Sequence, residues 1–576
     1  MAESIIKFEN VTYSYPATEK PAIHDINLDI KEGEVVLISG PSGSGKTTLC
    51  STLNRIVPEA YEGEMSGKIF IKGKDISKKH IGEMAFISGM LFQDPSGQLT
   101  NPTVEDEIAF GPENKGLPVK EVERLINEYS HYVGMQDYLE RPPQALSGGQ
   151  QQSVAYAAVL AMEPEIYVLD EPTSNLDPLG SDLVFELMKK LANDKHKTVI
   201  IVEHKLEKII DLVDRIVIMD KGTIAYDGTP LEVLTHYREL RDIGVIVPQI
   251  NRITSWLNDN KKLALPQPIN IDDAAKALKS ILPQGSASLS AGSARDNFKQ
   301  FRHFDTDAII SVKDLHFSYV PETEVLHGID LDIRKGEFLS IVGRNGSGKT
   351  TIVKHFNGLH RPTSGKVYVK GQDTYGVPVA ELSKSVGYCF QNPDHQIFSS
   401  VVYDELAYGP KNLGWDEKRI DKTIKDVTGM IGIKRLLDDN PYNLSLGQRQ
   451  QIAVAAILCM EPDVLIVDEP TTGQDPVQSR AMMDMMKRLN EEMGKTIVVI
   501  THDMSIAAEY SDRIVAMHAG RIIADGTPRE VFAQSDILKS SNLEAPQITR
   551  LLQELGFSDT VINVEEAQAV FERIEF

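Results

Sequence analysis

Two nine-residue stretches carry the side chains and the gaps needed to hold a polyphosphate. They are Gly40-Pro41-Ser42-Gly43-Ser44-Gly45-Lys46-Thr47-Thr48 and Gly343-Arg344-Asn345-Gly346-Ser347-Gly348-Lys349-Thr350-Thr351. Each follows an apolar run that reads as a buried strand (35–39 and 338–342) and opens a segment with helical spacing. Backbone N–H groups must approach the anion at van der Waals range, so side chains have to be missing at the tight points, and glycine supplies this. The helix that follows turns its positive dipole end to the anion. Lys46 and Lys349 then reach the outer phosphates, and Thr47 and Thr350 offer hydroxyls to Mg²⁺.

Carboxylates suited to a metal and a water follow further along. The run 166–169 ends in Asp170-Glu171, and 464–467 ends in Asp468-Glu469. At the C-terminal edge of a parallel strand such acids face the crevice where α/β ligands bind. Asp170 and Asp468 are expected to hold Mg²⁺, and Glu171 and Glu469 to polarise an attacking water. Ser147-Gly148-Gly149-Gln150, ahead of a helical pattern through Ala161, is a second anion-binding helix tip that needs no basic side chain. It makes sense as a group lent to a partner's triphosphate. His204 and His502 each end an apolar strand at the same interval from their glutamate.

The elements that must position these groups occur twice. Lys349 lies 303 residues after Lys46, whereas Gln391, Ser445, Glu469 and His502 each lie 298 after Gln93, Ser147, Glu171 and His204. The first copy therefore carries about five extra residues, placed in the loop 58–65, where length costs least. The repeat runs on through 248–252 and 546–550, and through 269–274 and 562–567, so each copy owns a short C-terminal piece. These pieces read as two short helices, with Asp272-Asp273 and Glu565-Glu566 in a first turn. Each copy also opens with alternating segments, 6–13 and 26–30, then 310–317 and 329–333, which predict a small antiparallel sheet. The expected division is a first catalytic domain over 1–235, its extension over 236–282, a Ser/Ala/Gly-rich tether over 283–308, a second domain over 309–535 and its extension over 536–576.

Bulk composition narrows the partners. A net charge of −23 over 576 residues argues against a nucleic-acid backbone as partner. No apolar run approaches the roughly 20 residues that span a bilayer. Cys50, Cys389 and Cys459 are scattered without metal or redox spacing and read as small buried apolar residues.

Taken together, these residues resemble a fused pair of ATP-binding-cassette ATPases. The implied fold is α/β: two P-loop NTPase domains, each with a parallel core sheet, an antiparallel flank and a helical insert. The resemblance implies that the two nine-residue loops are Walker A motifs and that Asp170-Glu171 and Asp468-Glu469 are Walker B motifs. Gln93 and Gln391 match the Q-loop, in contact with nucleotide and metal, and Asp177 and Asp475 match the D-loop. His204 and His502 match the switch histidine, and Tyr15 and Tyr319 the aromatic on which adenine stacks. ATP and Mg²⁺ are the implied cofactors. In that family two cassettes pair head to tail, each signature facing the other's triphosphate. The second signature, Ser445-Leu446-Gly447-Gln448, has Leu446 in place of a glycine, which predicts that the Lys46 site is the weaker of the two.

The segments 93–99 with 107–112, and 391–397 with 405–410, resemble the ATPases of energy-coupling factor (ECF) importers. That resemblance implies a membrane coupling (T) protein, a substrate-capturing (S) protein, and cargo among vitamins, their precursors or transition-metal ions. It also implies a location at the cytoplasmic face of the membrane and a groove after each Q-loop for a coupling helix. The competing reading is a soluble twin-cassette ATPase acting on ribosomes. The tether composition and the acidic charge weigh against it.

Overall fold

The computed structural model describes residues 3–16, 18, 20–93, 97–146, 148–173, 178–194, 197–283, 307–472, 474 and 476–576. The chain divides into two units, Met1–Ala277 and Leu278–Phe576. Most of the expected tether, 284–306, lies outside the described residues.

In the first unit, β1 (Ser4–Ser14) and β2 (Ile23–Lys31) pair antiparallel with Ile6 opposite Ile30 and Phe8 opposite Leu28. The core strand β3 (Val35–Ser39) is followed by β4 (Glu64–Ile71), which pairs with β1, and the two-residue β5 (Lys74–Asp75). Then come β6 (Ser88–Leu91), β7 (Ile166–Asp170), β8 (Thr198–Val202), β9 (Arg215–Asp220) and β10 (Thr223–Gly228). The larger sheet has the order β10-β9-β3-β8-β7-β6, parallel except for β10.

Both faces of that sheet are covered, which explains its unbroken Val/Ile/Leu runs. Along β3 the side chains alternate: Val35 and Leu37 join the cluster under the helical insert, while Val36 and Ile38 join the cluster with β1 and β2. The insert comprises helices Val104–Asn114, Val119–Tyr132 and Gly148–Ala161.

The second unit repeats this plan. Its flank is β11 (Ala308–Val320), β12 (Thr323–Arg334), β14 (Ser364–Val369) and β15 (Gln372–Asp373). Its core is β13 (Phe338–Gly343), β16 (Val386–Cys389), β17 (Val464–Asp468), β18 (Thr496–Thr501), β19 (Arg513–His518) and β20 (Arg521–Gly526). These run in the order β16-β17-β18-β13-β19-β20. The extra residues of the first unit form a helical turn at Ile56–Glu59 and an exposed stretch around Tyr61. The C-terminal pieces hold helices Gln249–Lys261 and Ile271–Lys279, and Gln547–Glu554 and Val564–Glu572. Asp272-Asp273 and Glu565-Glu566 sit in first turns, and the Asn563 side chain caps the last of these helices by accepting from the Glu566 N–H. All three cysteines are free and buried.

Candidate nucleotide sites

Each phosphate-binding loop links a core strand to the helix behind it. The helices are Lys46–Leu53 and Lys349–Phe356, entered through Gly45 (φ 98°) and Gly348 (φ 99°). Gly40 and Gly343 also hold positive φ, and a Cβ there would stand 2.2 Å from the Met219 carbonyl oxygen and 2.4 Å from that of Met517. Those are backbone atoms of the next strand and cannot yield. Gly40→Ala and Gly343→Ala are therefore expected to cost several-fold or more in ATP affinity at the altered site, with a drop in melting temperature. Fluorescent-nucleotide titration and a thermal-shift scan check both.

The loops fit a triphosphate on their own chemistry. Ser44 Oγ and Ser347 Oγ are buried in the two loops without a hydrogen-bond partner, as a donor reserved for a ligand oxygen would be. The Lys46 ammonium donates to the Gly40 and Pro41 carbonyls, both at 2.9 Å, and Lys349 donates to those of Gly343 (2.7 Å) and Arg344 (2.9 Å). Each lysine is thus held over the loop's mouth. Pro41, Ser42, Gly43, Arg344, Asn345 and Gly346 are the remaining residues of the two loops.

The strand ends bring the acids to the same place. Asp468 accepts from the Thr350 hydroxyl at 2.9 Å and from the Tyr388 hydroxyl at 2.8 Å, both on Oδ2. Asp170 lies beside Thr47, and its Oδ1 is buried without a partner. Burial pushes the Asp170 carboxyl up to about 6, with neighbouring Glu171 adding to the rise and Thr47 and Lys46 opposing it. Burial raises Asp468 too, against the pull of Tyr388 and Thr350. A threonine hydroxyl beside an aspartate, both next to the lysine, is a hard-oxygen donor set of the kind Mg²⁺ takes, completed by water and phosphate.

Both glutamates occupy the left-handed region, Glu171 at φ 47° and Glu469 at φ 48°. Their N–H groups donate to the Val202 and Ile500 carbonyls at 2.9 Å, which locks the strained turn and aims the carboxylates. Glu171 is bracketed: Gln93 Nε2 donates to one oxygen at 2.7 Å and His204 Nε2 meets the other at 3.0 Å. Glu469 meets His502 through Nδ1 at 2.8 Å, while Gln391 is exposed. Burial would raise Glu469, but His502 and Lys349 outweigh it and leave its carboxyl below the usual range. A glutamate kept ionised beside a histidine can accept a proton from water.

The Tyr15 and Tyr319 hydroxyls meet Thr48 and Thr351 at 3.1 and 3.2 Å. Tyr61 of the extra segment packs edge-on to Tyr15 at 6.3 Å, and His360 takes the corresponding place beside Tyr319 at 5.3 Å. The second signature begins a helix, Leu446–Leu458, whose N-cap Ser445 accepts from the Gln448 N–H while the Gln448 side chain accepts from the Ser445 N–H. Leu446 is its first helical residue, and Gly148, Gly149 and Gln150 open the matching helix. Ser147, Asp177 and Asp475 lie outside the described residues.

A family profile described as "ABC transporter" matches residues 23–174 and 326–472. The chain belongs to the ABC transporter family. A relative from Methanosarcina acetivorans, named as an ABC transporter ATP-binding protein, is 39% identical over 559 residues, covering 96% of this chain and 90% of that one. One from Caldanaerobacter subterraneus, similarly named, is 39% identical over 567 residues and 98% of each chain. Among solved structures, cbiO1 of Clostridium perfringens, titled as part of the ABC transporter complex cbiONQ, is 37% identical with a TM-score of 0.39. It covers 43% of this chain and 99% of its own. The chain is thus a duplicated, ATP-hydrolysing ABC transporter ATPase with two P-loop domains. Among the described residues no helix is long and apolar enough to cross a membrane.

Several functional contacts are silent in the spacing of this ABC transporter ATPase. Tyr388 and the Gln93 link to Glu171 surface only in three dimensions. Glu107 and Glu405 are others: both are buried and accept two backbone N–H groups from the loop after the Q-loop, Thr100 and Asn101 in one unit, Phe398 and Ser399 in the other. Both head the segments 107–112 and 405–410 within the helices Val104–Asn114 and Val402–Asn412, where nothing in the sequence marks an acid as buried.

Proposed function

We propose that this chain is the motor of an energy-coupling factor type importer, driving uptake of a vitamin, a vitamin precursor or a transition-metal ion through a membrane coupling protein and a substrate-capturing protein. The observation that carries this reading is a groove of about 570 Å³ in the second unit, next to the Q-loop and lined by Pro378, Gln396, Phe398, Tyr408, Leu413 and Met460. Phe398 and Tyr408 stay exposed, edge to face at 4.6 Å, Phe398 on a loop pinned by Glu405 and Tyr408 on the helix Val402–Asn412. An aromatic pair held rigidly at a wet surface suits an amphipathic helix seeking an anchor. Gly409 keeps the floor open, since a Cβ there would stand 2.7 Å from the Met460 side chain.

ATP binding closes the two cassettes in this reading, the Ser147-Gly148-Gly149 signature serving the Lys349 site and the Ser445-Leu446-Gly447 signature serving the Lys46 site. Hydrolysis, with Glu171 or Glu469 taking the proton of water, releases them. Lys46 and Lys349 stabilise charge at the transferring phosphoryl group, and Mg²⁺ held by Thr47 with Asp170 or by Thr350 with Asp468 would add to that stabilisation.

Affinity purification of the tagged chain from detergent-solubilised membranes tests this. Small hydrophobic membrane proteins are expected to come with it, and Phe398→Asp is expected to lower their yield at least about tenfold while ATP binding persists, because a buried charge replaces an aromatic anchor. Sedimentation with ribosomes and no membrane partner would favour the alternative, a twin cassette working on ribosomes.

A further inference from the structure

We infer that Tyr388 is a positioning residue for the metal at the second nucleotide site: its phenol fixes the Asp468 carboxylate for Mg²⁺, and Met90 withholds this from the first site. The two residues occupy the same place. Both lie 298 apart in the repeat, on β6 and β16, and both strands pair in parallel with the strand that ends in the metal-holding aspartate. Both are nearly buried, Met90 5% and Tyr388 6% exposed. They differ in one chemical respect. A carboxylate can only accept, so the Tyr388 hydroxyl must be the donor in its 2.8 Å contact with Asp468 Oδ2. A thioether has no proton to give.

The consequences are visible in the acids. Asp468 has two hydroxyls converging on a single oxygen, one from the helix behind the P-loop and one from the neighbouring strand. Its carboxylate plane is thereby fixed from two directions. Asp170 keeps the Thr47 hydroxyl as its neighbour, and Met90 adds no second donor from the adjoining strand. Hydrogen bonds to a charged acceptor that must keep one orientation are the means by which outer groups tune metal affinity, commonly by 10-fold or more. Nothing in this depends on the importer reading.

Mn²⁺ binding to the full chain, followed by electron paramagnetic resonance with a non-hydrolysable ATP analogue, tests it. Lys46→Ala isolates the second site and Lys349→Ala the first. The second site is expected to half-saturate at several-fold lower Mn²⁺ than the first. Tyr388→Phe should raise that concentration about fivefold or more at the second site and leave nucleotide affinity in EDTA unchanged. Met90→Tyr should lower it at the first. A Tyr388→Phe titration that coincides with the parent overturns the inference. So does an equal loss of metal-free nucleotide binding, which would mark Tyr388 as support for the strand alone.

Discussion

Glu469→Gln is expected to cut steady-state ATP turnover by about a hundredfold or more, whereas Glu171→Gln is expected to cost only a few-fold. A general base contributes roughly 10²–10⁴ where it acts, so the size of each loss reports how much turnover passes through that site. Three differences between the copies point the same way. Leu446 stands at the first helical position of the second signature, where Gly148 stands in the first. In the family's head-to-tail pairing that leucine would face the Lys46 site, and a branched side chain there keeps a helix tip from closing on phosphate. Met90 gives Asp170 of the same site no donor, while Tyr388 gives one to Asp468. Glu171 has an oxygen occupied by Gln93 at 2.7 Å as well as one by His204, and a carboxylate already satisfied on both oxygens is a poorer acceptor for a water proton. Coupled-enzyme assays of both variants, with binding of ATP confirmed for each, give the answer. Equal losses overturn the asymmetry.

Most of the fold could be read from sequence because its rules are local. A phosphate loop between a buried strand and a helix leaves little freedom, and the 298-residue repeat let each motif check its twin. The strand runs 35–39 and 166–169 reappear as β3 and as all but the last residue of β7. What stayed hidden has a common physical cause. Tyr388, Gln93 with Glu171, and Glu405 with the Phe398 loop act across 78 or 80 residues of sequence, or through backbone N–H groups that carry no residue identity. The left-handed φ of Glu171 and Glu469 is equally silent, since glutamate advertises no such preference. Spacing singled out the groups expected to meet the ligand, and only packing revealed the groups that hold them.

Acid should loosen the second unit before the first, by a route that also starts from one unmatched residue. His355 is fully buried on the inner face of the P-loop helix, its Nδ1 against the Thr351 carbonyl at 2.8 Å and the Phe317 ring edge-on at 4.8 Å. Burial pushes its imidazole down to about 4, the Thr351 carbonyl opposes the shift, and nearby His360 adds to it. The corresponding residue of the first unit, 303 positions earlier, is Thr52, which does not titrate. Above pH 6.5 the ring is neutral folded or unfolded, and stability is indifferent to it. As pH falls from 6.5 toward 4 the unfolded chain takes up a proton that the folded unit refuses, so stability declines by about 3 kcal/mol across that interval. The chain has two tryptophans, Trp256 and Trp415, one in each unit. In a Trp256→Phe background, Trp415 fluorescence therefore follows urea unfolding of the second unit alone. Its midpoint is expected to fall on going from pH 7 to pH 5, and His355→Thr, which copies the first unit, should remove most of that pH dependence whatever it does to stability at pH 7. A slope that survives the substitution would place the acid sensitivity in other groups, since threonine leaves the site nothing to protonate.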